Sequence, residues 1–475
     1  MSIILSLSLA APLWAQPASV PDTSAAGALG PILASRPVIH QALTIDQAVE
    51  IALRESPVVR GSAADVDAAI GRLRAAQAER LPWLSTNAFV STGNSASVMS
   101  TPPPTQPAAI MALPDRRFTD LNLSLMLPLF TGGRLEAMIR QAEALRRASD
   151  ADLAAQRQTV ALMARTAFHD VQARRSLVDV AKARLTENEA RLKNDQARFQ
   201  VQQIPEYYLR RDEAEVAAAQ QEVTNAKRDA DLSVVQLKTI MGISPASQID
   251  VSGSLADPSA EFLTGLTRQA PSMASGGAAS TSDDLSALLR LAERQRPELR
   301  GAEERLRGAG HEVRSVRGAY LPQVSVGVMG DWMKMGGDPS QTGTTAALIA
   351  SFPLYNGGQR EARLREADAM RRRSEQDRQE AALQVAQDVS TALLNLRAAE
   401  QNVATANAGL TAAEAEYKAA QLRYDVGRSI VAEVLDALAS RVHAQSDVVQ
   451  ARYQYNVAQD QLLRAVGGLP APATR

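Results

Sequence analysis

Two periodicities alternate along the chain. A step of 4 and 3 runs through Val385, Val389, Ala392, Leu396, Ala399, Val403, Ala406, Leu410, Ala413, Tyr417, Ala420 and Tyr424. That is a heptad seam of about 3.5 residues per turn, the signature of helices wound on one another. An equivalent seam runs through Val160, Ala164, Ala167, Val171, Arg174, Val178, Ala181, Leu185, Asn188, Leu192, Asp195 and Phe199, interrupted by Arg174, Asn188 and Asp195. These polar knobs predict a face that is not uniformly dry. Arg134 to Ile204 holds neither Gly nor Pro, and Gln359 to Val426 holds only Gly409. As single helices these stretches span on the order of 100 Å, longer than a globule accommodates. The second periodicity is 2. Leu121, Leu123, Leu125 and Leu127 share one face against Asn122, Ser124 and Met126, and Val324, Val326 and Val328 oppose Ser325 and Gly327. Strands are predicted at about 83–92, 119–129, 323–332 and 344–354, and long helices at 134–200 and 359–425. Runs of this length suit a half-buried soluble strand or a membrane barrel strand.

The phrases "PLFTGG" and "PLYNGG" place Pro128 and Pro353 at an offset of 225. "ARFQV" and "LRYDV", and Met241-Gly242 and Val466-Gly467, share that offset. "LRESPVVRG" and "ERQRPELRG", like "RLPWLS" and "YLPQVS", stand 240 apart. The chain is duplicated, with 15 extra residues in the first half around the loop sequence Met99 to Asp115. The repeats are expected at 43–242 and 284–467, joined by a linker at 243–283, with a tail at 468–475. Four strands cannot close a barrel in lipid, where an open edge is not tolerated. Membrane strands here require several copies of the chain; two would supply eight and three would supply twelve.

Composition narrows the function. The net charge of −1 gives no reason for a nucleic-acid partner. With no cysteine there is no disulfide framework, thiolate metal site or lipidated N-terminal Cys. Ile3 to Leu9 is too short for a membrane helix but fits a signal-peptide core, so residues 1–15 are expected to be a signal peptide cleaved after Ala15, although its basic n-region is missing. His40, His169, His311 and His443 are scattered without metal-ligand spacing. No Gly-x-Ser-x-Gly elbow or phosphate loop is present. No enzyme, cofactor or metal site is expected. The glycine pairs Gly132-Gly133 and Gly357-Gly358 precede helices and could receive an anion; a tight strand-to-helix turn is the better reading, with Thr131 and Asn356 as caps.

Paired Gly-Gly turns after Pro128 and Pro353, the two halves, and "RYDVGRSIVAEVLDA" (Arg423 to Ala437) together resemble the TolC-like outer-membrane efflux family, over roughly Leu43 to Gly467. The resemblance implies a mainly α protein with a small β part. Duplicated helix-strand-strand-helix halves would form a homotrimer, with a 12-stranded outer-membrane β-barrel in lipid continued by a long periplasmic α-helical barrel. Residues 16–42 and Ser252 to Thr281 look like its equatorial belt. It implies a passive exit duct serving a periplasmic adaptor and an inner-membrane transporter. Efflux of small molecules leads; a type I protein secretion duct, a periplasmic adaptor and a coiled-coil scaffold are the alternatives.

The two helix breaks are then the periplasmic tips. Val201, Gln202, Gln203, Val426, Gly427 and Arg428 are expected to meet the adaptor. Tyr424, Arg428, Glu433 and Asp436 are expected at the pore aperture. Glu433 and Asp436 lie i, i+3 on one face, and copies of such a pair would ring a pore and favour cations; on an ordinary helix a solvated face is the better reading. The family places an Arg two positions after the tip Gly, where Ser429 stands. Gln202 stands where a Gly is usual, and Tyr207-Tyr208 where an Asp partner for the tip Tyr is often found. A latch by Tyr424 or Arg428 is therefore an expectation to test, with Arg428→Ser or Tyr424→Phe raising single-channel conductance.

Overall fold

The computed structural model describes residues 42–91, 96–99, 110–113, 118–259, 261–268, 281–336, 339–426 and 428–469. The expected signal peptide, all of the N-terminal belt segment except residue 42, most of the C-terminal tail and Gly427 lie outside the described residues.

Two helices of 67 residues dominate, the first rod Arg134–Gln200 and the second rod Gln359–Asp425. Each spans about 100 Å at ~1.5 Å per residue. Each turns at its far end into a return helix, Glu206–Met241 or Val431–Ala465. The heptad positions are where the rods bury their faces: Val389 and Leu396 are fully buried in the second, Ala164 and Val171 in the first. Of the three polar interruptions, Arg174 is exposed but Asn188 and Asp195 are fully buried. The face is thus wet at Arg174 and at Phe199 near the tip, and dry around Asn188 and Asp195, whose polar groups are paired inside it.

Shorter helices brace the rods. Ile45–Glu55 starts on a capping box, Thr44 accepting from the Gln47 N–H while the Gln47 side chain accepts from the Thr44 N–H. Thr44→Ala is expected to cost about 1 kcal/mol, read as a lower midpoint in thermal unfolding. Pro57–Ala78 and Pro297–Gly318 occupy equivalent places in the two halves. Both begin with Pro at the first turn, where a missing N–H costs nothing. One apolar core gathers around the first rod and first return helix, the other around the second pair. The linker holds to both. Ser252 donates to the Leu43 carbonyl, and the Ser259 N–H donates to the Tyr455 hydroxyl at 3.1 Å.

Trp83–Ser91, Phe118–Phe130, Gln323–Met335 and Gln341–Ser351 form one antiparallel sheet in that order. A short hairpin, Ala96–Met99 with Ile110–Leu113, lies between the first two. The last long strand stops at Ser351 rather than continuing to 354, because Pro353 has no N–H to give a ladder. Pro128 is tolerated inside a central strand by a bulge that shifts the register between Pro128 and Phe130. Leu121, Leu123 and Leu125 are the exposed face, and Leu84 and Leu348 share their side of the sheet. The opposite face carries the Ser85–Ser124 and Asn122–Asp331 hydrogen bonds. Apolar-out and polar-in, with strands of 9 to 13 residues, is the pattern of strands that cross lipid. Among the described residues no helix is long and apolar enough to cross a membrane.

Candidate functional site: the helix tips

The strand-to-helix joints are built by positive backbone angles. Gly132 and Gly133 have φ of +63° and +77°, Gly357 and Gly358 of +66° and +81°. The helices are capped by Gly133 and Gly358, not by Thr131 and Asn356. The Thr131 side chain contributes only a long hydrogen bond from the Leu135 N–H at 3.4 Å; otherwise Thr131 and Asn356 give their backbone carbonyls to the Arg134 and Gln359 N–H groups.

At the far ends both tips use the same closure. The Gln203 N–H donates to the Arg198 carbonyl at 2.9 Å, and the Arg428 N–H to the Arg423 carbonyl at 2.8 Å. These are the six-residue closures of a Schellman turn, which needs a left-handed residue just past the helix. Gln202 fills that place with φ +59°, where glycine is the unstrained choice. Val201, Gln202, Gln203 and Val426 are exposed.

One turn above the tips lies a buried polar layer. The Tyr424 hydroxyl donates to both oxygens of Asp195, at 3.2 and 3.3 Å, joining the second rod to the first. Arg198 lies over the Tyr424 ring, 5.0 Å from its centre, and reaches Asp425 at 3.4 Å. Asp195 and Asp212, on the first return helix, are both fully buried. Arg191 pairs with Asp212 at 3.3 Å and donates to Asn188, whose amide donates to the Glu215 carbonyl. Burial pushes the Tyr424 hydroxyl up to about 12, and the charge of Asp195 adds to this, so it remains a neutral donor. Burial also raises the Asp212 carboxyl to about 6, assisted by its hydrogen bond with Asp195 and opposed by Arg191.

The other expected aperture residues are less closely knit. Glu433 pairs with Arg423 and accepts from Ser429; these two bonds hold its carboxyl below the usual range. Glu433 is therefore a neutralised carboxylate within the chain. Asp436 is exposed one turn further along. Arg428 is exposed and forms no ion pair among the described residues. The acceptor for Tyr424 is Asp195, twelve residues before the Tyr207-Tyr208 pair where one was sought. Those two tyrosines stack on each other, ring centres 4.2 Å apart. Asp195, Asp212, Arg191 and Arg198 were not anticipated as site residues. The available signal was the charge of Asp195 at an otherwise apolar heptad position.

The chain pairs a four-stranded sheet, apolar on one face, with two rods of about 100 Å. The profile of the outer membrane efflux protein family matches residues 48–243 and 288–468. This chain belongs to that family, and it is an efflux protein of the outer membrane with a large periplasmic part. It is 23% identical to the outer membrane protein TolC of Escherichia coli (strain K12) over 453 residues, covering 91% of this chain and 83% of TolC. Its fold matches the outer membrane protein VceC of Vibrio cholerae with a TM-score of 0.70 at 18% identity, over 89% of this chain and 96% of VceC. It also matches the open state of the MtrE outer membrane channel of Neisseria gonorrhoeae, with a TM-score of 0.68 at 18% identity, over 89% of both chains. The members of the family are channels rather than enzymes.

Proposed function

We propose that three copies of this chain form a passive exit duct for small molecules, with the tips as its periplasmic entrance. A periplasmic adaptor would meet Val201, Gln202, Gln203, Val426, Gly427 and Arg428, and an inner-membrane transporter would supply the energy. In this reading residues 43–242 and 284–467 are the two repeats of the wall, and 16–42 with 243–283 the belt around it.

The observation that carries the trimer is an interface present once inside the chain and left open once at its surface. The first rod packs on Pro297–Gly318, whose Gly301, Gly308 and Ser315 are buried. A Cβ on Gly308 would lie 3.8 Å from the Ala144 Cβ. The duplicate positions in the other half are Gly61, Ala68 and Ala75 on Pro57–Ala78, and Ala369 on the second rod. All four are exposed in the single chain. A neighbouring copy covers them if each second half packs on the next first half as the first packs on the second here. Three such contacts close a ring with twelve strands. Two chains would give eight, a size whose interior is filled by side chains.

The natural chain has no cysteine, which makes the test clean. The spacing at Gly308 and Ala144 equals the ~3.8 Å typical between the Cβ atoms of a disulfide. Ala68→Cys with Ala369→Cys in one chain is expected to give covalent dimers and trimers on oxidation, and each single variant none. A double variant that stays monomeric on a non-reducing gel, although it reaches the outer membrane, overturns the packing.

A further inference from the structure

We propose that the buried Asp212 keeps its carboxyl proton and donates it to Asp195, and that this proton makes the Tyr424 latch pH-dependent, tight in acid and loosened towards neutrality. The proposal rests on the reading of the tips as the duct entrance, and goes beyond it by assigning a sensor.

The geometry requires the proton. Asp195 on the first rod and Asp212 on the first return helix are both fully buried, and, after burial, hydrogen bonding with Asp195 is among the causes that raise the Asp212 carboxyl. Two carboxylates have only acceptors to offer one another. The Asp212 Oδ1 is taken by Arg191, while its Oδ2 is buried with no hydrogen-bond donor. A shared proton satisfies it, as in other carboxyl pairs confined to one site.

The duplication shows what this layer is elsewhere. The counterparts of Asp195 and Asp212 are Ala420 and Ala437, which pack with Val434 in a small dry cluster. The first half has replaced two alanines of a packed layer by two acids. The charged and titratable groups facing the pair are Arg191 from the first rod, Tyr424 from the second rod, and Arg198 with Asp425 behind the Tyr424 ring. Among the described residues Arg191 is the single cation paired with either acid, so Asp195 has the Tyr424 hydroxyl but no cation once the proton leaves.

The direction follows from linkage. In the latched tip Asp212 holds its proton up to about 6, against 3.8 for a carboxyl in water. A latched tip with the raised value is favoured fully below about pH 4. It loses that advantage as pH rises from about 4 to about 6, and above that the dependence is flat. Beyond this window two adjacent buried carboxylates repel, the first hairpin relaxes, and Asp195 withdraws from Tyr424.

The test is the separation between the three tips, read by paired spin labels on Gln203→Cys in the purified full-length trimer. This readout is insensitive to charges at the pore mouth. In the otherwise natural chain the separation is expected to increase between pH 4 and pH 6. In Asp212→Asn the amide donates to Asp195 at every pH, so the separation should stay at its acid value up to pH 7.5. Asp195→Asn should give the same flat profile from the other side of the pair. Tyr424→Phe should give the wider separation throughout. If Tyr424→Phe leaves the tips unmoved, the latch itself is refuted. If it opens them while Asp212→Asn and Asp195→Asn follow the natural pH profile, the latch stands and the shared proton is refuted.

Discussion

Tyr424→Phe is expected to raise the single-channel conductance of the purified protein in planar bilayers. Among the described residues the phenol oxygen is the one atom by which the second rod hydrogen-bonds Asp195, at 3.2 and 3.3 Å. The ring itself stays, with Arg198 still over it and packed on Ala420 and Val434. The substitution therefore removes a hydrogen bond and little else. A bond to a charged partner is worth about 1.5–3 kcal/mol, which shifts the balance of closed and open tips by roughly 10- to 150-fold per subunit. Asp195→Ala should act in the same direction. Arg428→Ser should raise conductance less, because that side chain has no ion pair among the described residues. An unchanged conductance in both Tyr424→Phe and Asp195→Ala would remove the latch from the mechanism.

Gly132→Ala should be the most damaging single-methyl change in the strand-to-helix joints. At φ +63° any Cβ is strained, and here it would also lie 2.4 Å from the Gly318 carbonyl oxygen and 2.7 Å from the Leu321 Cβ. Gly318 is itself pressed to within 2.9 Å of the Arg134 nitrogen at its own Cβ position. Two backbones meet at this point, and neither can move aside as a flexible side chain would. The left-handed conformation costs about 1–2 kcal/mol, and forced displacement of packed backbone adds about 1–3 kcal/mol. Gly133, at φ +77° with open space around it, should pay only the first of these when changed to Ala. The comparison is made by trimer yield in the outer membrane and by the temperature at which the trimer dissociates in detergent. Equal losses from Gly132→Ala and Gly133→Ala would show that conformation alone, and not the contact with Gly318, sets the requirement.

Much of the architecture was legible in one dimension because it is periodic. A rod without Gly or Pro over 67 residues has one way to satisfy its backbone, and its seam is written every 3.5 residues. The duplication was legible because the rods and the Pro57–Ala78 and Pro297–Gly318 helices keep constant offsets, so that each buried position in one half names a position in the other. Strand faces followed from period 2, and the ends of the rods from Pro205 and the residues around Gly427. The tip layer was only half legible. Asn188 and Asp195 stood out as polar knobs, but a knob pattern states that a residue faces inward and not what it meets. Asp212 carries no such mark, since its helix is short of a clean seam and its partner lies 17 residues away across a turn.

The sequence by itself determined the rods, the four long strands, their order, the two-fold repetition and the family they belong to. These follow from local backbone chemistry and from periodic burial, which each residue carries with it. The tertiary structure alone decided that Tyr424 closes on Asp195, that Arg423 neutralises Glu433, and that two aspartates replace a pair of alanines inside the first hairpin. Such pairings depend on how two rods are rotated and staggered against one another. That is a property of the packed assembly, where burial removes water and makes every unpaired polar atom costly.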